Sequence, residues 1–276
     1  MKYATVMVSL ALGQSNEARL EIAGQLAERF GSRVIGVAAA EFSPPLYFTD
    51  GGRAQELIDE GWAAVKGRLA ELECKFHAAM QNRALDVEWR WAEDFPTRYI
   101  VQQARASDII VVGEAARGAS TDPFVQINPS DLIMRAGRPL LVVPESFNWL
   151  DLRSVLVAWK DTAEARRAIS DALPLLRQSN EVTLVEIVED EADRQAALAR
   201  AGDVVAWLSR HGVRASEQVP EQRGDAATQI EQFASDVSAG IVIAGAYGHS
   251  RLSEWILGGV TRQLMNPSNR CSLLSH

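Results

Sequence analysis

The chain is written twice, and no other feature limits its fold so strongly. The apolar run Thr5 to Leu10 precedes Glu17-Ala-Arg19 and a helical pattern ending at Phe30-Gly31; the run Val155 to Trp159 precedes Glu164-Ala-Arg166 and a pattern ending near Gln178, an offset of 147 residues at the two Glu-Ala-Arg triplets. Each copy continues with a short Val/Ile-rich segment, Arg33 to Ala40 and Glu181 to Val188, then a helix, Arg53 to Met80 and about Glu191 to His211. Third strands are expected at Leu85 to Trp91 and Val213 to Val219, followed by helices Pro96 to Ala106 and Asp225 to Ser238. Fourth strands are expected at Asp108 to Gly113 and Gly240 to Gly245, and fifth strands at Pro139 to Val143 and Cys271 to Ser275. Apolar strands alternating with helices at this spacing make a parallel sheet covered on both faces. The expected architecture is α/β, with two tandem doubly wound five-stranded parallel-sheet domains, residues 1–146 and 147–276, joined around Pro144 to Asp151.

The 276 residues are 47% apolar and 23% charged, enough for two packed interiors and too apolar for disorder. The net charge is -8, with 15 basic and 19 acidic residues up to Ser146 and 13 and 17 after it, so neither half attracts nucleic acid or anionic membrane. The apolar stretch Ala4 to Leu12 imitates a short signal peptide, yet the similar run Ser154 to Trp159 lies where no export signal acts, so both are read as strands. Cys74 and Cys271 have no partners at metal spacing. A soluble protein of the reducing cytoplasm is expected.

Ligands of open parallel sheets bind beyond the carboxyl ends of the strands, where the strand order reverses. The fourth strand of the second copy, ending at Ala244-Gly245, runs into Gly245-Ala-Tyr247-Gly248-His249-Ser-Arg251, and nine residues after Gly248 come Gly258-Gly259-Val260-Thr261. Glycines let backbone approach a ligand closely, and a helix starting near Gly258-Gly259 offers free N–H groups to phosphate. A glycine turn with no ligand is the plainer alternative.

The spacing G-x2-G-x9-G closely resembles that of the universal stress proteins, in which the motif holds the ribose and phosphates of ATP. The five-strand layout, the closing segment Arg138 to Pro144 and the ending Leu273 to His276 resemble a tandem member of that family over nearly the whole chain. The resemblance implies strand order 3-2-1-4-5, ATP or ADP as cofactor with Mg2+ as companion, and pairing of the two halves through their last strands, with a homodimer as a further option. It implies a binding role for Ala158 and Trp159 at the end of the first strand of the second copy, and for Ile187, which matches a position whose backbone meets adenine. Three departures accompany it. Gly259 stands where the family has Ser or Thr; Lys160 stands where it has Asp, with Asp161 one residue later and the sole evident carboxylate for Mg2+; and in the first copy Ala116 replaces the second glycine beside Glu114. The first copy is therefore expected to serve as scaffold.

The sequence carries no G-x4-G-K-[ST], G-x-G-x-x-G or H-E-x-x-H, and Leu252 spoils G-x-S-x-G. No catalytic set is expected, and any ATP hydrolysis would be slow. Two other readings stay open: a scaffold that binds no nucleotide, and a phosphohydrolase using His249. Trp89 and Trp91 are expected on one face of a strand, and Phe42 to Phe48 as a packed surface loop or a cover for the first cleft.

Overall fold

In the computed structural model the described residues are 2–41, 51–114, 124, 126–247, 259–265 and 269–276. The first half runs β1 (Thr5–Ser9), α1 (Glu17–Phe30), β2 (Arg33–Ala40), α2 (Gly51–Met80), β3 (Asp86–Glu93), α3 (Pro96–Gln103), β4 (Ile109–Gly113), α4 (Pro129–Ala136) and β5 (Leu140–Val143). The second runs β6 (Ser154–Ala158), α5 (Ala163–Leu176), β7 (Glu181–Val185), α6 (Arg194–Arg210), β8 (Ala215–Gln218), α7 (Ala226–Asp236), β9 (Ile241–Gly245), α8 (Gly259–Met265) and β10 (Cys271–Ser275).

Ten strands form one sheet in the order β3-β2-β1-β4-β5-β10-β9-β6-β7-β8. Each half keeps the order 3-2-1-4-5, all parallel, and the halves join where β5 meets β10 antiparallel, Leu140 opposite Leu274 and Leu141 opposite Leu273. Both last strands are buried, as expected of strands covered by helices on each side; β5 is wholly apolar and β10 sets Leu273 and Leu274 on opposite faces. One apolar layer unites α1, α2, α5 and α6 through Ile22, Leu26, Phe76, Ile169, Ala201 and Leu208. The opposite layer joins the other helices through Ile100, Leu132, Ile230, Ala234 and Leu264.

Local chemistry sets the ends of the helices. Gly31 takes φ 59° and its N–H caps Ala27 O, closing α1. Asn128 caps α4 through the N–H groups of Ser130 and Asp131, with Pro129 in the first turn, and Asp225 caps α7 through Thr228 N. Polar contacts reinforce the junction of the halves. Gln25 of α1 donates to Asn148 O at 2.7 Å and accepts from Leu150 N at 2.8 Å. Tyr3 donates to Asp171 O at 2.7 Å, and Ser275 to the Asp171 carboxylate at 2.9 Å.

Several boundaries differ from the sequence reading. β7 stops at Val185, with a single further bridge between Val188 and Glu221, and α4 is an element that the strand–helix count passes over. Pairing registers align Thr5 with Ser154, an offset of 149 against 147 at the triplets, because seven residues (10–16) separate β1 from α1 and only four (159–162) separate β6 from α5, which starts one residue before its triplet. Trp89 packs on Phe76 at 5.6 Å between ring centroids, whereas Trp91 is exposed on the edge strand. The Phe42 to Phe48 segment lies outside the described residues.

Candidate functional site

The order of the second half reverses between β6 and β9. After β6 the chain leaves toward the α5/α6 face, and after β9 it leads to α8 on the opposite face. A crevice at the carboxyl edge follows from that divergence. On the β6 side, Ala158 is buried and Trp159 extends the pairing by donating its N–H to Val185 O at 2.8 Å, its ring packed inward. The chain then turns sharply, Thr162 N donating to Lys160 O at 2.7 Å, so Lys160 and Asp161 stand exposed at the rim. Thr162 Oγ1 caps α5 through Ala165 N at 3.3 Å. Asp161 is paired with Arg166 at 2.6 Å. Ile187, half-buried against the opposite layer, follows β7.

On the β9 side, Ala244 is buried, and Gly245 lies so close to α5 that a methyl group on it would sit 2.5 Å from Ala165 N and 2.7 Å from Glu164 C. The first glycine of the motif is thus required by backbone packing, whatever it binds. Tyr247 adopts φ 64° and turns to the opposite layer, its ring 6.4 Å from that of His276. Burial raises its phenol above the usual range and the Ser130 hydroxyl of the first half opposes the rise, so Tyr247 stands at the junction of the halves. Gly248, His249, Arg251 and Gly258 lie outside the described residues. Helix α8 is described from Gly259, with Val260 half-buried and Thr261 buried.

Two side chains that the sequence reading missed also reach this edge. Glu186, 5% exposed, directly follows β7 and is held by Arg200 of α6 at 2.7 Å. Arg200 in turn feels the charge of Asp161. The sequence signal was a carboxylate immediately after the apolar run Val182 to Val185.

The first half treats the same place differently. Arg19, aligned in sequence with Arg166, is 3% exposed and donates to Ser9 O at 3.0 Å and Ser15 O at 2.7 Å. Its guanidinium also lies 3.3 Å from where a Cβ on Gly113 would stand, so it spans the ends of β1 and β4. Burial lowers its pKa to about 10, with Glu145 opposing the shift. Glu114 turns its carboxylate to Glu145 N at 3.3 Å. Cavities open elsewhere, one of about 690 Å³ between the β1–α1 loop and α2, another of about 500 Å³ beside Phe147, Trp149 and Arg270. No group of His, Cys, Asp and Glu among the described residues is arranged to hold a metal ion, and no described helix is long and apolar enough to cross a membrane.

No protein-family model matches the chain. A universal stress protein of Synechocystis sp. is 24% identical over 164 residues, 59% of this chain, and the match spans about half the length of that relative, 55%. Among solved structures, a universal stress protein from Archaeoglobus fulgidus DSM 4304 superposes with TM-score 0.72 at 17% identity, covering 98% of this chain and 95% of that one. A functionally unknown protein from Pseudomonas aeruginosa PAO1 superposes with TM-score 0.61 at 13% identity, covering 99% and 92%. The chain thus shares the fold of a universal stress protein along nearly its whole length and is similar in sequence to another over part of it.

Proposed function

We propose that residues 147–276 hold one adenine nucleotide, ATP or ADP, at the carboxyl edge between β6 and β9, and that residues 1–146 serve as a scaffold that binds none. The observation that carries this reading is the contrast between the two crevices. In the first half a buried Arg19 bridges the strand ends; in the second the aligned Arg166 lies outside, paired with Asp161, and Lys160 stands at the rim as a free cation for phosphate. The glycine spacing from Gly245 to Gly259 supplies backbone N–H groups, and the family resemblance supplies the base. Asp161 is already engaged by Arg166, so Mg2+ would be carried chiefly by the phosphates. With no nucleophile and base paired at this edge among the described residues, the role is sensing or regulation in a stress response rather than turnover.

A second reading, a paired scaffold without nucleotide, is favoured by one observation: packing against α5 alone accounts for Gly245. The two separate in one experiment. Heat-denatured protein is assayed by chromatography for released nucleotide, and nucleotide-free protein is titrated with ATP by calorimetry beside G248L. One ATP per chain, lost in G248L, supports the nucleotide reading; an empty wild type that takes up no ATP establishes the scaffold.

A further inference from the structure

Besides Arg200 Nε and Tyr247 Oη, two polar atoms at the edge of the second half are buried and have no hydrogen-bond partner: Nε1 of Trp159 and Oε2 of Glu186. They belong together. Ala158 and Val185 form the last registered pair of β6 and β7, so Trp159 and Glu186 follow side by side on adjacent strands about 5 Å apart, on the α5/α6 face. Arg200 Nη2 fixes one carboxylate oxygen at 2.7 Å and leaves the other to accept. A buried donor beside a buried acceptor, neither satisfied, is costly in a native fold unless a ligand or water completes both.

We infer that Trp159 and Glu186 are specificity-determining residues that read the edge of a 6-aminopurine. The exocyclic amine donates to Glu186 Oε2, and the neighbouring ring nitrogen accepts from the Trp159 indole N–H. Ribose and phosphates fix which way round the ring enters, so a 6-oxopurine in the same seat sets a carbonyl against the carboxylate. Arg200 is the positioning residue, since it determines which oxygen stays free. This inference rests on the proposed nucleotide site of residues 147–276.

The substitution E186Q reverses the chemistry with little change in shape. Arg200 accepts only an oxygen as partner, so the amide NH2 takes the free position and an acceptor becomes a donor. Calorimetric titrations of wild type, E186Q and W159F with ATP and with inosine triphosphate test this, thermal melts checking the fold. The wild type is expected to prefer ATP at least tenfold, the ordinary scale for a hydrogen bond to a charged group. In E186Q the preference falls below threefold or inverts, and W159F weakens ATP about tenfold. Should E186Q fail to fold, the W159F result decides alone. If the wild type binds both triphosphates equally, or if W159F and a folded E186Q leave the preference intact, this inference is overturned and the nucleotide site stands. If the wild type binds neither triphosphate, the site itself fails and the inference with it.

Discussion

Replacing Gly245 by alanine tests whether the first motif glycine answers to packing or to a ligand. The added methyl meets three backbone atoms of α5, Ala165 N at 2.5 Å, Glu164 C at 2.7 Å and Ala165 Cα at 2.9 Å. Ordinary carbon contacts lie at about 3.5–4.0 Å, so the first turn of α5 must retreat by about 1 Å. That turn is held by the Thr162 cap and by the buried Ala165, Ala168 and Ile169, so it cannot move alone. Overpacking of this kind costs about 1–3 kcal/mol, and the backbone partners put G245A near the top, a fall of roughly 6–12 °C in Tm at about 2–4 °C per kcal/mol. The built-in control is G113A at the corresponding strand end. There the nearest atoms belong to the Arg19 side chain, at 3.3 Å, and an alanine in a strand otherwise regains conformational entropy, so the net change stays under about 1 kcal/mol. Both variants are melted without nucleotide, by circular dichroism. If G245A melts with wild type, or no lower than G113A, the packing argument is refuted.

Three further outcomes follow from the same geometry. R19M leaves the Ser9 and Ser15 carbonyls without their donor and is expected to cost about 1–3 kcal/mol in urea unfolding, with no rescue by R19K, whose single ammonium cannot span both; an unchanged midpoint would show the bridge to be idle. Burial raises the Asp171 carboxyl at the junction of the halves, against Ser275 and the charges of Arg167 and Arg138. A raised folded value means stability that is fully present below the ordinary aspartate range and lost as pH rises through the folded value, so urea midpoints should fall over that interval in wild type and flatten in D171N. Q25A removes a reciprocal pair of bonds to residues 148 and 150 and strands the buried Leu150 N–H; faster proteolysis between Pro144 and Asp151 and a loss of about 1–3 kcal/mol are expected.

Periodicity made the central strands of both halves legible, because buried parallel strands are apolar runs. Helix α4 was missed although Asn128-Pro129 is a capping signal, as its eight residues follow no complete apolar repeat. Glu186 and Arg19 were illegible for a different reason. Each is a charged residue at a buried position, retained because a partner distant in sequence or a backbone carbonyl satisfies it. Arg200 is 14 residues from Glu186, on another element, and Ser9 O is offered only once β1 and α1 have packed.

The same distinction explains how one repeat produces two unlike edges. The seven-residue loop after β1 returns Ser15 O to Arg19 and lets Gln14 lie 3.4 Å from the same guanidinium, so the arginine is solvated by backbone and turns inward. The four-residue loop after β6 has no slack for such a carbonyl cage. It draws the start of α5 against Gly245, and Arg166 is left outside to pair with Asp161. A buried guanidinium at the first edge fills the space where a phosphate would approach; at the second edge Lys160 stands exposed at the rim, and Trp159 Nε1 and Glu186 Oε2 lie within without a hydrogen-bond partner. On the proposed reading, loop length, more than any single motif residue, decides which half is left to bind.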